Sequence, residues 1–419
     1  MKPQLSPIDM PPNEAMRLVL QNAELPFHSI VALRRVCRRL RQLIDDIKPS
    51  IDFKRLELKF AGGWISMAFL IGDKRIETQY HSYEKKCIVW FLNEAGNGVI
   101  EKFDEDDYMD IFFSNLEFIL KYSNPTQLHS FFLKWFNDCD TSTRQDISKR
   151  NEHRDLHCSR FFKKFNDLLM SIHLTSSLLK IEELEMRNVT IAESLMMLSY
   201  IDPKILVKIS LSPVKWMDCE KIVPGKMDIV GEYGKLKVED VGNTNKDVCN
   251  NTTDEKLADD SCDDHDEVVN SDEVVSFSPF FQLEQWNSAK KLDISEYRLS
   301  DSIDNFAHFA DANITVISIS SDDLAKLKEI FIRSPEFQNF RIRFETFTNR
   351  LNLHTVLDRP CLVKQDSGNV EEFWYFLVNK TDDQIISVML SKDVVLFSRT
   401  IWSQVPGEAE IIGNNMEIP

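Results

Sequence analysis

Residues 181–212 read IEELEMRNVTIAESLMMLSYIDPKILVKISLS, and the pattern in this stretch decides the fold. The spacing apolar-x-x-apolar-x-apolar occurs twice, at Ile181, Leu184 and Met186 and then at Leu206, Ile209 and Leu211. Residues 191–201, between the two, carry apolar side chains at the spacing of a helix. One strand and one helix every ~20–29 residues is typical of a leucine-rich-repeat-like solenoid.

The same spacing recurs on both sides of this stretch. Its other occurrences begin at Phe53, Leu128, Ala289, Ile314 and Phe337. A single unit cannot bury its own apolar face, so neighbouring units must stack. We therefore expect a mixed chain, of the α+β or α/β class, in which an irregular strand–helix solenoid fills residues 105–400.

One interval breaks the period, because residues 206 and 289 are 83 positions apart. The residues beyond one repeat interval coincide with an acidic segment, residues 232–273. This segment holds 14 acidic residues and 4 lysines, for a net charge of −10. Such a composition buries too little apolar surface to offset its ordering entropy. We expect residues 217–275 to be a disordered insertion that acts as a solvated spacer.

The two ends of the chain have different patterns. Residues 9–50 predict a small all-helical unit whose second helix carries an apolar stripe opposite a basic face, Arg34 to Arg41. About 40 residues bury little surface, so this unit is expected to need a partner. Residues 51–104 are expected to be a β-rich connection, residues beyond 370 a β-meander, and residues 401–419 a frayed tail.

Composition excludes several classes of protein. The chain has 419 residues, of which 43% are hydrophobic, so it is not wholly disordered. Its formal net charge of −17 argues against a general nucleic-acid binder, which needs a basic face. Eight scattered cysteines without a C-x-x-C pair indicate reduced thiols in the cytoplasm, the nucleus or both. Neither a signal peptide nor a membrane-spanning run is visible, so no membrane partner is expected.

Two parts of the chain resemble known families. The segment SIVALRRVCRRLR at 29–41 is the part of residues 9–50 that most resembles an F-box. LEQWNSAK at 283–290, His308-Phe309 and DLAKLKEIF at 323–331 are similar to the FTH domain of nematode F-box proteins of the F-box A type. LSYIDPKIL at 198–206 and FWYF at 373–376 resemble it as well. Pro26, in a lengthened first turn, and the acidic insertion depart from the family pattern.

The resemblance implies a substrate-recognition subunit of a Skp–cullin–F-box E3 ubiquitin ligase. Such a subunit is not an enzyme, so no catalytic residue, cofactor or metal is expected, and the FTH-like repeats would hold a protein target. The F-box would bind the Skp adaptor, and through it the cullin scaffold, with these residues: Pro12, Met16, Val19, Leu20, Phe27, Ile30, Leu33, Val36, Cys37 and Leu40. The alternative is a non-catalytic interaction scaffold that lacks productive ligase assembly, which the altered first turn would permit.

Strand alternation predicts where the target binds. If Leu184 and Met186 point inward, their neighbours point outward and line one surface across the stacked repeats. The candidate target-binding residues are Glu183, Glu185, Lys291, Asp293, Asn339 and Arg341. The same alternation places Arg187, Lys208, Ser210, Val316 and Ser318 on the shared surface. Their mixed charges favour a protein target over a polyanion, and the alternative is a merely solvated sheet face.

Three other features have competing explanations. His153, His157 and Cys158 share a helical face and would form half of a zinc site, although solvated helix residues have the same spacing. The basic face at Arg34–Arg41 would suit nucleic acid, but the acidity of the chain favours a partner-facing or solvated helix. A catalytic triad is recognised by geometry rather than by sequence, so a hydrolase stays an alternative.

Overall fold

The computed structural model describes most of the chain between residues 30 and 412. The described residues are 30, 33–34, 37–47, 54–71, 74–83, 86–92, 98–104, 107–123, 127–136, 147–175, 178–213, 274–364, 370–378, 383–406 and 411–412. Most of the F-box-like unit and residues 214–273 lie outside them. The expectation of a disordered insertion therefore falls almost wholly outside the described residues.

The described part is a mixed α/β structure with seven helices and one large sheet. The helices are α1 Arg38–Ile47, α2 Tyr108–Ser123, α3 Ile147–Thr175, α4 Ile191–Leu198, α5 Glu284–Ser288, α6 Ser321–Arg333 and α7 Leu353–Leu357. The first eight strands are β1 Arg55–Ala61, β2 Trp64–Ile71, β3 Lys74–Tyr83, β4 Lys86–Leu92, β5 Gly98–Asp104, β6 Leu128–Trp135, β7 Ile181–Arg187 and β8 Lys208–Ser212. The others are β9 Val274–Val275, β10 Lys291–Leu299, β11 Asp311–Ser320, β12 Asn339–Thr348, β13 Cys361–Lys364, β14 Val370–Leu377, β15 Gln384–Leu390, β16 Val394–Ile401 and β17 Ile411–Ile412.

Seven parallel strands form the centre of the sheet. They pair in the order β1, β6, β7, β8, β10, β11 and β12. Strands β2 to β5 continue from β1 as an antiparallel meander, and β16, β15 and β14 continue from β12 in the same manner. The meander predicted beyond residue 370 is therefore present.

The repeated apolar spacing is in register across the parallel strands. Its middle position is occupied on successive strands by Leu56, Phe131, Leu184, Ile209, Leu292, Ala312 and Phe340. The prediction was wrong on β11, where the unit begins at Phe309 and not at Ile314. Two alignments of the repeated spacing, or frames, fit the sequence of β11: one begins at Phe309 and the other at Ile314. The frame that begins at Phe309 is harder to recognise, because its middle position is the small residue Ala312.

Helices cover the face of the sheet on which these apolar residues lie. The rings of Phe60 on β1 and Phe161 on α3 stack with centroids 3.8 Å apart, and Phe131 stacks on Phe165 at 6.3 Å. On α6, Phe331 stacks on Phe337 at 4.0 Å. Large-to-small changes in so dense an aromatic layer are expected to be strongly destabilising.

The apolar stripe of the F-box-like unit meets this same core. Ile30 and Ile44 are buried members of the core, and Leu33 packs against it. Arg34 lies over the ring of Phe118 on α2 at 4.7 Å and pairs with Asp45 at 2.8 Å. We expected this unit to need a partner, but the core of the same chain already covers Ile30, Leu33 and Ile44.

Two expected boundaries also need correction. Val274 and Val275 pair with Arg298 and Leu299 on β10, so ordered structure resumes inside the range 217–275. Ile411 and Ile412 pair with β14, so the range 401–419 contains a strand where we expected fraying. Main-chain hydrogen bonds explain both differences, because they depend on a distant strand that local composition does not reveal.

Arg399 on β16 ties the C-terminal meander to the end of α6. Its guanidinium donates to the carbonyl oxygens of Ser334 at 2.5 Å and Phe337 at 2.9 Å, and to Gln384 Oε1 at 2.5 Å. The last carbonyls of a helix lack partners within the helix, so a cation that donates to carbonyls just beyond the last turn is well placed there.

Arg399→Met is expected to lower the free energy of unfolding by about 2 kcal/mol, because these carbonyl oxygens would lose a charged donor. Urea denaturation followed by circular dichroism measures the loss. Arg399→Lys is the matched control, since it keeps the charge but not the planar array of donors, and it should lie between the two. A Met variant as stable as wild type would contradict this role.

Candidate interaction surface

The face of the parallel strands opposite the helices carries the candidate site. Three rows of side chains cross it, each formed by residues in register on neighbouring strands. Row one is Arg55, Ser130, Glu183, Lys208, Lys291, Asp311 and Asn339. Row two is Glu57, Phe132, Glu185, Ser210, Asp293, Asn313 and Arg341. Row three is Lys59, Lys134, Arg187 and Ser212.

All six candidate target-binding residues lie in rows one and two. Glu183, Lys291 and Asn339 belong to row one, and the other three belong to row two. All six are at least partly exposed. Val316, which we expected on this face, is buried at 2% exposure, and Asp311 and Asn313 take its place. The frame error on β11 explains this difference.

The middle of row two is a small polar network. Asp293 Oδ1 accepts from Ser295 Oγ at 2.9 Å and from Asn313 Nδ2 at 3.3 Å. Asn313 Oδ1 is buried and has no hydrogen-bond partner among the described residues. A buried acceptor without a donor is costly, so this oxygen is a point at which a bound N–H or O–H group would be stabilised.

The β1 end of the surface is basic. Arg55 and Arg75 each contact Glu57 at 2.8 Å, and Lys59 lies 4.0 Å from it. The arginine side chains are 45% exposed while that of Glu57 is 13% exposed, so the cations lie outermost. Phe132 is buried on this outer face because the guanidinium groups of Arg55 and Arg187 lie 5.9 and 5.7 Å from its ring centre.

Hydrogen bonding holds the charges at this end in place. Burial acts to lower the pKa of Arg75, but its hydrogen bonds to Glu57 and Glu77 outweigh burial and raise it. Burial likewise acts to raise the pKa of Glu77, but hydrogen bonds from Gln79, Ser66 and Arg75 lower it below its ordinary value. These groups therefore stay charged across the physiological pH range.

The cleft between β1, β2 and β3 is small. It has a volume of about 180 Å³ and is lined by charged Arg55, Glu57 and Arg75 together with Ala68, Phe69 and Leu70. Pockets for small molecules usually have ~300–1,000 Å³ and mostly apolar walls. This cleft therefore suits a side chain of a partner better than a small ligand.

The candidate adaptor-binding residues are only partly described. Pro12, Met16, Val19, Leu20, Phe27 and Val36 lie outside the described residues. Ile30 is buried, and Leu33, Cys37 and Leu40 are half-buried. Among the described residues, Cys37 and Leu40 stay partly accessible, whereas Ile30 is part of the core and Leu33 packs against it.

The structure also locates the residues with competing explanations. The Cys158 thiol is buried and donates to Glu193 Oε1 at 3.4 Å, and the side chain of His153 lies outside the described part. Within the described residues, no group of three His, Cys, Asp or Glu side chains could hold a metal ion. Among the same residues, no helix is long and apolar enough to cross a bilayer.

Alternation placed Arg187 outward, but sequence reasoning missed Lys59 and Lys134, which complete the basic part of row three, although a signal was present. In the first three units a basic residue directly follows the last apolar position: Lys59 after Leu58, Lys134 after Leu133, and Arg187 after Met186. Aligning the units on their apolar positions would have placed these three cations side by side. Alternation also predicts that Phe132 points outward. The alignment would not have predicted that Phe132 is buried there, because its burial depends on Arg55 and Arg187 from two other strands.

The strands around β10 and β11 pack on an aromatic cluster around Trp286, which is part of the same continuous core. Trp286 on α5 is fully buried, with ring centroids 5.2 Å from Phe309, 5.3 Å from Phe280 and 5.9 Å from Phe277. His308 contacts the carbonyl oxygen of Trp286 at 3.2 Å. Trp286, His308 and Phe309 belong to the motifs that carried the resemblance.

Residues 267–360 form an FTH domain. The match to this family covers β9 to α7 and includes the motifs at 283–290, 308–309 and 323–331. The similar segments at 198–206 and 373–376 lie outside it, although β8 and β14 belong to the same sheet. Neither the curated proteins nor the solved structures contain a match to the chain.

Proposed function

We propose that this chain is the substrate-recognition subunit of a Skp–cullin–F-box ubiquitin ligase of the cytoplasm, the nucleus or both. The FTH domain carries the proposal, because this family is associated with F-box proteins. The F-box resemblance of residues 9–50 agrees in position and order with that assignment. The chain itself transfers no ubiquitin; it holds a target lysine near the charged ubiquitin carrier, and proximity accelerates the reaction.

In this proposal the target binds rows one and two. The in-register parallel strands act as a leucine-rich-repeat-like solenoid, whose stacked units offer one continuous surface. That surface mixes acidic and basic groups, as at Glu183 and Lys208 on neighbouring strands. A folded protein with complementary charges fits this pattern better than a uniformly charged polymer, because like charges would meet on part of either row.

The alternative, an interaction scaffold without ligase assembly, is favoured by one observation. Ile30, Leu33 and Ile44 pack with the core of the chain, so these residues are already covered without an adaptor. Adaptor binding would then depend on residues 9–29 and on the accessible side chains of α1. The two functions predict different outcomes when the chain is mixed with Skp adaptor.

The deciding experiment is co-elution of the full chain with Skp adaptor in size-exclusion chromatography. Met16→Asp with Leu20→Asp is expected to abolish co-elution, because charges among the apolar residues of the first predicted helix oppose burial against the adaptor. Arg17→Asp with Gln21→Asp is the matched control at neighbouring polar positions of the same predicted helix and should retain it. Wild type that fails to co-elute would favour the scaffold, and a Met16→Asp with Leu20→Asp variant that binds normally would refute the F-box assignment.

The same preparations test the target surface. Glu183→Lys, Lys291→Glu and Arg341→Glu together are expected to change the set of proteins captured from lysate while adaptor binding persists. Lys163→Glu, Asp167→Lys and Lys204→Glu change the net charge equally at exposed positions away from rows one and two. An unchanged set with the first variant would exclude rows one and two as the target site.

A further inference from the structure

We infer that the acidic segment, residues 232–273, binds the basic row formed by Lys59, Lys134 and Arg187 of its own chain. This inference builds on the proposed function, because the segment would then compete with a target for the same face. Two observations carry it: the place where the chain leading to the segment leaves the sheet, and the charge of the surface beside that place.

The chain that leads to the segment leaves the sheet beside the basic row. Ser212 is the fourth member of row three and pairs directly with Arg187, and Pro213 is the last described residue before the segment. The first described residue after the segment is Val274, which pairs with β10. Neighbouring strands lie ~4.8 Å apart, so Lys59 is only about 14 Å from Ser212 along the row. The 18 residues between Pro213 and Glu232 span that distance easily, since an extended residue covers ~3.3 Å.

The surface beside Ser212 is basic within an acidic chain. On β1, β3, β6, β7 and β8 this part of the face holds six cations, Arg55, Lys59, Arg75, Lys134, Arg187 and Lys208, and four carboxylates, Glu57, Glu77, Glu183 and Glu185. The local charge is therefore +2, against −17 for the whole chain. The side chain of Arg187 is 53% exposed and that of Glu185 is 30% exposed, so here too the cation is outermost. Such a patch attracts an anionic polymer.

Tethering makes the acidic segment the favoured occupant of this patch. A tethered ligand reaches an effective concentration on the order of millimolar, whereas an acidic partner in solution must approach a chain that is itself negative. The arginines flanking Phe132 offer bidentate donors to carboxylates, which an isolated ammonium group does not. An acidic region of a separate protein would compete for the same patch.

The test uses a fluorescent peptide of residues 254–266, DEKLADDSCDDHD, which has a net charge of −6. In reducing buffer at low salt, fluorescence anisotropy should show binding to a chain that lacks residues 232–266, and at least tenfold weaker binding to the full chain. High salt should abolish binding, because exposed charges are screened within ~10 Å at 0.1 M. Equal affinity for the two chains, or no binding to the shortened chain, would overturn the inference.

Charge reversal identifies the site. In the shortened chain, Lys59→Glu with Arg187→Glu should weaken peptide binding at least tenfold, while Lys163→Glu with Lys204→Glu should change it less than twofold. Equal effects of the two pairs would show that only net charge matters and would overturn the assignment to row three. If the shortened chain does not fold, a full-length variant replaces the deletion. In that variant five aspartates are changed to Asn: Asp259, Asp260, Asp263, Asp264 and Asp266. None of these measurements involves the adaptor, so they fail or succeed separately from the ligase proposal.

Discussion

Trp286→Ala is expected to lower the free energy of unfolding by about 3–5 kcal/mol, the range for removing a large aromatic side chain from a packed core. Trp286 is fully buried among the rings of Phe277, Phe280 and Phe309 in the FTH domain. Its removal would leave a cavity that rigid rings on several sides cannot fill. Urea denaturation monitored by far-ultraviolet circular dichroism measures the loss.

Two further variants separate packing from other effects. Trp402 is 53% exposed, so Trp402→Ala should change stability by no more than about 0.5 kcal/mol. Trp286→Phe should cost less than alanine, because it keeps most of the ring volume and removes an indole N–H that has no partner among the described residues. Equal losses at Trp286 and Trp402 would show that the cluster does not support the fold.

The sequence predicts local structure of this chain well. Alternation along a strand places Glu183, Lys291 and Arg341 outward, and the structure has them on one face. The helical spacing of residues 191–201 corresponds to α4, which begins at a capping box formed by Thr190 and Glu193. Such features depend on neighbours within a few residues, so periodicity alone is sufficient to predict them.

Pairing between distant segments could not be predicted. β1 pairs in parallel with β6 although the antiparallel strands β2 to β5 lie between them in sequence. For that reason the expected boundary at 104 does not separate two sheets. Likewise the stripe at Ile30 and Leu33 indicates that some surface must cover it, but the sequence does not say that this surface is α2 and the core of the same chain.

The candidate site also combines local features that the sequence predicts with long-range pairing that it does not. Each cation of row three is an ordinary surface residue in its own strand, and the row exists only because strands separated by dozens of residues stack in register. The shared face of the six candidate target-binding residues is predictable because a repeated pattern carries its own register. Where the pattern was ambiguous, on β11, the outward position was assigned to the wrong residue.

That ambiguity can be tested directly. In the frame that begins at Ile314, Ile317 points inward and Val316 outward; in the frame that begins at Phe309, Val316 is buried. The register places Val316 between Leu299 on β10 and Phe344 on β12, both buried and apolar. Ser318 is exposed and pairs with the exposed Thr346.

Val316→Asp is therefore expected to destabilise the chain by about 3–5 kcal/mol, because the carboxylate would be buried beside apolar residues without a cation or a donor. Ser318→Asp, which introduces the same group two residues away, should stay within about 0.5 kcal/mol of wild type. Thermal unfolding of the two variants beside wild type measures both effects. A stable Val316→Asp protein would restore the frame that begins at Ile314. It would also shift the outward residues of β11, and with them the centre of rows one and two, away from Asp311 and Asn313.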